Sequence, residues 1–177
     1  MTCIVAVAHE GKVTMGADSA SVSGWDVTIE RFPKIVEVGS FLIGFTSSWR
    51  MGQLLAHSMT PPERLEGQTV EAYLITGFIG AVRQALRDGG FAKKENEVEQ
   101  GGQFLVGFEG RIFQVHSDYQ VAENEIGFDA CGSGADYAMG AMLSTPHLAP
   151  QDRVLKALQA AGTFSIGVRP PFITVTR

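Results

Sequence analysis

The order of apolar patterns along the chain constrains the fold more than any other feature of the sequence. Short apolar, β-branched segments bounded by turn residues predict strands at 2–8, 13–17, 35–38, 41–45, 103–108, 112–115, 126–131 and 173–175. Helical spacing of apolar residues predicts helices from Trp49 to the Pro61-Pro62 pair and over 69–87, 134–144 and 150–162. Residues 19–33 are predicted to be loop with a short strand, and residues 91–102 to be loop. Runs of strands separated by paired helices favour an α+β fold with sheets stacked between helical layers.

Length and charge exclude several classes of protein. The 177 residues contain no low-complexity tract, so a single domain over 1–177 is expected. The net charge of −5 and the lack of a basic stripe argue against a nucleic-acid partner. The most apolar segment, around 70–82, contains Glu71 and glycines, which argues against a transmembrane helix. No secretory signal is recognisable, so a cytoplasmic location is expected.

Cysteines and histidines suggest neither a disulfide nor a metal site. Cys3 and Cys131 could pair only if the fold brought them together, and two buried reduced thiols suit a cytosolic protein better. The histidines lack ligand spacing, so no metal is expected, and no motif calls for a cofactor. The Gly-rich segment at 132–134 is not followed by the Gly-Lys-Ser/Thr of a phosphate-binding loop.

The residue behind the initiator methionine carries the strongest functional signal. Methionine aminopeptidase removes Met1 efficiently when a small residue such as Thr2 follows. The processed Thr2 would carry a free α-amine and a γ-hydroxyl, and that amine can be the base that activates its own hydroxyl. Its pKa of ~7.7–8.0 leaves an appreciable unprotonated fraction near neutral pH. Cys3 is the alternative nucleophile, but neighbouring strand residues point to opposite faces.

Three later segments give Thr2 a context. Asp18 lies in Gly-Ala-Asp-Ser, Lys34 in Phe-Pro-Lys-Ile-Val, and Ser133 in Cys-Gly-Ser-Gly. With Thr2 as the first processed residue, these spacings resemble those of proteasome β-subunits and the bacterial HslV peptidase. The resemblance covers most of the chain. It implies the four-layer αββα sandwich of the N-terminal nucleophile (Ntn) hydrolases, whereas the apolar patterns alone indicate only α+β.

The resemblance assigns a role to each of these residues. Thr2 Oγ1 would attack the scissile carbonyl and form an ester that water hydrolyses. Lys34 would favour the unprotonated amine, because a nearby positive charge disfavours a second one, and Asp18 would pair with Lys34. Ser133 would hydrogen-bond around the amine and relay protons. Taken singly, the residues have plainer interpretations: a solvated lysine, a turn aspartate and a loop serine ahead of a helix.

The chain departs from the family's pattern at two places. The backbone N–H that would hold the oxyanion belongs to a glycine in the family, whereas Ser48 stands at that position here. The loop after the last long helix usually carries an aspartate, but residues 161–171 contain no carboxylate. Thr163 and Ser165 are the candidates to replace it.

The resemblance also places a substrate side-chain pocket beside the nucleophile, formed by Ser21, Phe32, Val36, Thr46 and Arg50. Arg50 could bind an acidic side chain through a bidentate contact, or it could simply start a helix and face water. Trp25 and Trp49 are predicted to be packing residues.

The predicted function is a threonine-type endopeptidase that hydrolyses peptide bonds inside a self-compartmentalising homo-oligomeric ring. Peptides or unfolded proteins would be the substrates, delivered by an ATPase unfoldase or a gating ring, because the chain has no ATPase motif. Two alternatives stay open. One is a catalytically silent assembly subunit of the same fold, suggested by Ser48 and the missing carboxylate. The other is an Ntn amidohydrolase that acts on small molecules.

Overall fold

Two antiparallel sheets form the centre of the molecule. The computed structural model describes residues 1–95 and 98–177. Its strands are β1 (Ile4–His9), β2 (Lys12–Ala17), β3 (Ala20–Ser23), β4 (Asp26–Ile29), β5 (Ile35–Val38), β6 (Phe41–Phe45), β7 (Lys93–Glu95), β8 (Val98–Gln100), β9 (Phe104–Phe108), β10 (Arg111–Val115), β11 (Val121–Glu123), β12 (Phe128–Cys131) and β13 (Ile173–Thr176). One sheet has the order β12-β1-β2-β13 and the other β11-β10-β9-β6-β5, while β3–β4 and β7–β8 are separate hairpins.

Helices cover the outer faces of both sheets. They are α1 (Trp49–His57), α2 (Val70–Tyr73), a π-helical segment (Leu74–Phe78), α3 (Ile79–Asp88), α4 (Ala135–Ser144) and α5 (Pro150–Phe164). Side chains of α4 and α5 pack on the four-stranded sheet, and side chains of α1 and of the 70–88 helical stretch pack on the five-stranded sheet. The molecule is therefore the four-layer αββα sandwich that the motif resemblance predicted.

The alternation of side chains along β1 explains how one short segment serves two cores. Cys3, Val5 and Val7 pack against α4 and α5, whereas Ile4 and Ala6 pack against the second sheet. Successive side chains of a strand point to opposite faces, so a segment that is apolar throughout is buried on both. The five-stranded sheet contributes Leu42, Leu105 and Ile112 to the layer between the sheets.

The structure corrects several boundaries predicted from the sequence. Residues 19–33 contain the hairpin β3–β4, whose strands lack the apolar alternation that reveals a buried strand, since β4 is exposed throughout. Half of the predicted 91–102 loop belongs to the paired strands β7 and β8. Residues 96–97 of the predicted loop lie outside the described residues. Helix α1 ends at His57, where the Ser58 N–H closes on the Leu54 carbonyl, and not at the proline pair. Strand β11 was missed because it is only three residues long and partly exposed.

Candidate active site

Thr2 lies two residues before the start of β1 and is almost completely buried, with 6% of its surface exposed. Its backbone N–H donates to Ser133 Oγ at 3.2 Å. Its carbonyl oxygen accepts the Gly134 N–H at 3.2 Å and the Ser133 hydroxyl at 3.4 Å. The turn that precedes α4 therefore binds both the backbone N–H and the backbone carbonyl of Thr2.

A glycine makes this close approach possible. Gly132 has a φ of +96°, a conformation that residues with a Cβ rarely adopt. A Cβ built at this position would lie 2.3 Å from the Thr2 carbonyl oxygen. Any other residue at 132 would therefore push the turn away from Thr2.

Asp18 and Lys34 form a buried ion pair. Lys34 Nζ donates to Asp18 Oδ1 at 2.9 Å and to the Ala20 carbonyl at 2.7 Å. Asp18 Oδ1 also accepts the Cys3 N–H at 3.0 Å, and Oδ2 accepts the N–H groups of Ala20 at 3.1 Å and Arg169 at 3.4 Å. The carboxylate thus fixes the lysine and joins β1 to the C-terminal loop.

The surroundings of Lys34 shift its proton affinity. Burial lowers the pKa of the Lys34 ammonium from its ordinary value, and the charge and hydrogen bond of Asp18 oppose that fall. The Trp49 ring centroid lies 5.5 Å from Nζ, close enough for a cation–π contact that favours the charged form.

A small cavity of about 100 Å³ opens beside Thr2 and Lys34. It is lined by Met1, Thr2, Ala20, Ser21, Val22, Lys34, Phe45, Thr46, Ser47, Ser48 and Trp49. The structure therefore brings Thr2, Lys34, Ser48, Ser21 and Thr46 to one place, with Asp18 and Ser133 as their direct hydrogen-bond partners. A much larger cavity of about 820 Å³ lies elsewhere, among strand turns and the 61–67 loop, and does not include Thr2.

Ser48 lines the cavity, but its backbone N–H already has a hydrogen-bond partner. It donates to the Thr46 carbonyl at 2.6 Å across Ser47, whose φ of +63° is left-handed. The Ser48 side chain accepts the Arg50 N–H and so caps α1. An oxyanion could use this N–H only by displacing the Thr46 carbonyl.

Three of the predicted pocket residues lie elsewhere, and one unpredicted residue takes their place. Val36 belongs to the core under α1 and α3, and Phe32 packs against that core. Arg50 donates to the Gly89 carbonyl at 3.3 Å and faces a different cavity. Trp49, expected only to pack, lines the cavity instead. In the sequence, only the position of Trp49 directly after Ser48 indicated that it could line the cavity.

Ser165, in the loop after α5, lies against Ser133. Its hydroxyl lies 3.3 Å from Ser133 Oγ, and its side chain is buried. Thr163 is exposed and donates to the Gln159 carbonyl, away from the site. Arg169 donates to the carbonyls of Gly162 and Ser165, which closes the loop after α5. Of the two candidates, Ser165 alone contacts Ser133.

Met1 covers Thr2 in this structure. Thr2 Oγ1 donates to the Met1 carbonyl at 2.5 Å, and the Met1 side chain packs against Gly167, where a Cβ would lie 2.0 Å from Met1 Cβ. As long as Met1 is attached, the Thr2 nitrogen is an amide and has no basicity.

Cys3 is poorly suited to be a nucleophile. It packs in the core beneath α4 and α5, and its side chain is completely buried. Burial first, and the charge of Asp18 second, raise the pKa of this thiol to about 12 although Lys34 opposes the change. Because the thiolate is the reactive form, Cys3 is inert near neutral pH. Cys131 is also free, and it packs in the layer between the sheets.

Neither a metal cluster nor a membrane span is found in the part of the chain that the structure describes. No three histidine, cysteine, aspartate or glutamate side chains among residues 1–95 and 98–177 are grouped to hold a metal ion. None of the described helices is both long and apolar enough to cross a bilayer.

Comparison with solved structures defines the class of fold. Thiobacillus denitrificans BPH in complex with epoxomicin matches with a TM-score of 0.82 at 22% identity, over 99% of this chain and 98% of that chain. HslV from Trypanosoma brucei matches with a TM-score of 0.68 at 16% identity, over 99% and 98% of the two chains. Anbu, an ancestral β-subunit from Yersinia bercovieri, matches with 0.67 at 16% identity, over 99% and 81%.

The chain therefore has the Ntn-hydrolase fold of proteasome-type subunits. No protein-family profile matches the sequence, and no curated protein sequence matches it. At 16–22% identity the structural likeness shows the fold. The activity of this chain depends on the residues at its own candidate site.

Proposed function

We propose that the protein is a threonine-type peptidase whose nucleophile is Thr2 after removal of Met1. The observation that carries the proposal is the double anchoring of Thr2 on the turn at 132–134, beside a cavity that Thr2 and Lys34 both line. Burial positions the nucleophile before substrate arrives, so little ordering is needed at the moment of reaction.

The proposed chemistry begins once Met1 has been removed and Thr2 carries a free α-amine. The free α-amine of Thr2 takes the proton from Oγ1, which attacks the scissile carbonyl carbon. The amine then returns the proton to the leaving nitrogen, and an ester to Thr2 remains until water hydrolyses it. The Lys34 charge disfavours a protonated α-amine and so keeps the base available. The Ser48 N–H is the proposed oxyanion donor once substrate displaces the Thr46 carbonyl.

The first test is the intact mass of the purified protein before and after treatment with a peptide epoxyketone. This probe needs both a free α-amine and a threonine hydroxyl on the same residue. We expect the Met1-free fraction to gain one adduct, mapped to Thr2, whereas any Met1-bearing fraction in the same spectrum stays unmodified and serves as an internal control. Met1-free protein that remains unmodified would contradict the proposal and favour the silent assembly subunit.

Ser165 is proposed to orient the Ser133 hydroxyl in place of a carboxylate. Ser165→Ala removes the only side-chain oxygen seen within hydrogen-bonding distance of Ser133 Oγ among the described residues. A single neutral hydrogen bond contributes ~0.5–1.5 kcal/mol, so we expect kcat to fall roughly 2–10-fold. Thr163→Ala, a matched change at the exposed end of α5, should leave kcat unchanged. Equal rates for wild type and Ser165→Ala would contradict the role.

A homo-oligomeric ring in the cytoplasm, fed by a gating ring or an ATPase unfoldase, is the proposed setting. Support comes from apolar side chains that α4, α5 and the following loop expose: Leu143, Phe164 and Ile166. Contiguous exposed apolar patches mark association surfaces, and Phe164 lies against the exposed ring of Tyr137, with centroids 5.4 Å apart. The mass in solution separates a chambered peptidase from a small monomeric amidohydrolase.

A further inference from the structure

The indole of Trp49 forms one wall of the cavity beside Thr2. Its Nε1–H donates to Ser21 Oγ at 3.1 Å, which links the start of α1 to β3. The ring meets Phe45 edge-on, with centroids 5.8 Å apart, and Phe32 edge-on at 6.5 Å. Lys34 Nζ lies 5.5 Å from its centroid. Contacts from four directions therefore hold the indole in place.

The space left beside Thr2 is small. The cavity holds about 100 Å³, whereas a dry protein cavity of ~150 Å³ takes up one benzene molecule and sites for drug-sized ligands occupy ~300–1,000 Å³. Met1 also lines the cavity and leaves in the proposed maturation. None of the four contacts that hold Trp49 involves Met1, so the indole wall stays when Met1 is gone.

The other residues that line the cavity also favour a small substrate side chain. The small polar residues Ser21 and Thr46 line this space, and the Thr46 hydroxyl donates to the Gln103 carbonyl. A leucine or phenylalanine side chain would have to displace the indole and break its bond to Ser21. A hydrogen atom, a methyl group or a hydroxymethyl group would not.

We propose that Trp49, held by Ser21, closes the side-chain pocket beside Thr2 and makes the site selective for peptide bonds preceded by glycine, alanine or serine. Trp49 is thus a specificity-determining residue. The inference rests on the proposed threonine-peptidase function and names the substrate class of that same site.

The test uses three peptide epoxyketones that differ only in the residue next to the warhead: alanine, leucine or phenylalanine. The rate of adduct formation on Met1-free protein is followed by intact mass. We expect wild type to react with the alanine probe at least about tenfold faster than with the phenylalanine probe, since single methylene groups change selectivity ~10–200-fold. Trp49→Ala should remove this preference by accelerating the phenylalanine probe about tenfold or more.

A matched control and a milder variant keep the result interpretable. Trp25→Ala makes the same change at the tip of the β3–β4 hairpin, where the indole is 98% exposed, and should leave all three rates as in wild type. Trp49→Phe keeps an aromatic ring against Phe32 and Phe45, so it covers the case in which Trp49→Ala does not fold. It should accelerate the leucine and phenylalanine probes.

The outcomes separate the inference from the function on which it rests. Wild type that reacts equally fast with all three probes, or folded Trp49 variants with unchanged preference, would overturn the selectivity while Thr2 reactivity stands. Failure of wild type and both Trp49 variants with every probe would overturn the nucleophile itself, and the selectivity with it.

Discussion

Thr2→Ala is expected to abolish peptide hydrolysis while leaving the fold intact. Removal of a covalent nucleophile in an enzyme whose catalytic groups act as a unit costs on the order of 10⁴-fold or more in kcat. The side chain makes one hydrogen bond in this structure, to the Met1 carbonyl, while the backbone bonds to Ser133 and Gly134 do not depend on it. Alanine is also small enough for Met1 removal, so the variant loses the hydroxyl and keeps the amine.

Two further variants separate chemistry from structure in that experiment. Thr2→Ser keeps the hydroxyl and should retain turnover of a fluorogenic peptide. Thr14→Ala removes a buried threonine hydroxyl that pairs with Thr176 at 2.9 Å, far along the chain from the nucleophile, and should lower stability without abolishing turnover. Turnover by Thr2→Ala at the wild-type rate would rule out Thr2 as the nucleophile, whatever the fold.

Asp18→Ala is expected to cause the largest loss of stability at the site. Truncating one partner of a buried ion pair costs ~3–5 kcal/mol, because the other charge is left buried without compensation. Here the Lys34 ammonium would keep only the Ala20 carbonyl, and the N–H groups of Cys3 and Ala20 would lose their acceptor. Urea unfolding monitored by circular dichroism measures the change.

Two comparison variants test whether the loss of stability comes from the buried ion pair. Glu37→Ala breaks the Glu37–Arg177 pair, whose side chains are 59% and 41% exposed, and should cost no more than ~1 kcal/mol. Asp18→Ala combined with Lys34→Met should be more stable than Asp18→Ala alone, because the unpaired charge is gone. A loss of less than ~1 kcal/mol for Asp18→Ala would show that the pair is not held as the structure has it.

The deficit of Asp18→Ala should also depend on pH. Burial already lowers the pKa of Lys34, and removing Asp18 takes away the opposing charge, so the folded-state pKa falls further. An unfolded lysine keeps its proton to ~10.4. Between the lowered folded pKa and that value the unfolded state binds more protons, so stability rises with pH. The deficit of the variant is therefore expected to shrink as the pH is raised toward ~10.

Residues within regular patterns could be predicted from the sequence. The apolar segments on either side of Glu10-Gly11 and Gly39-Ser40 predicted the two hairpins that carry Asp18 and Lys34 to the site. The structure joins these two side chains at 2.9 Å and places Ser133 against the Thr2 backbone, contacts that the motif resemblance implied and the apolar patterns did not. Local alternation and turn residues decide the two hairpins, so a single sequence reveals them.

The sequence by itself determined the α+β class and the order of strands and helices, because strand period and turn chemistry act over a few residues. The four-layer sandwich and the gathering of Thr2, Asp18, Lys34 and Ser133 were implied only by the motif resemblance. Only the tertiary structure decided that Trp49 walls the cavity in place of Phe32, Val36 and Arg50, that Ser165 and not Thr163 meets Ser133, and that the Ser48 N–H turns to the Thr46 carbonyl. These side chains and peptides lie in loops or at a helix start. Their directions follow from packing against segments distant in the chain, which no local pattern encodes.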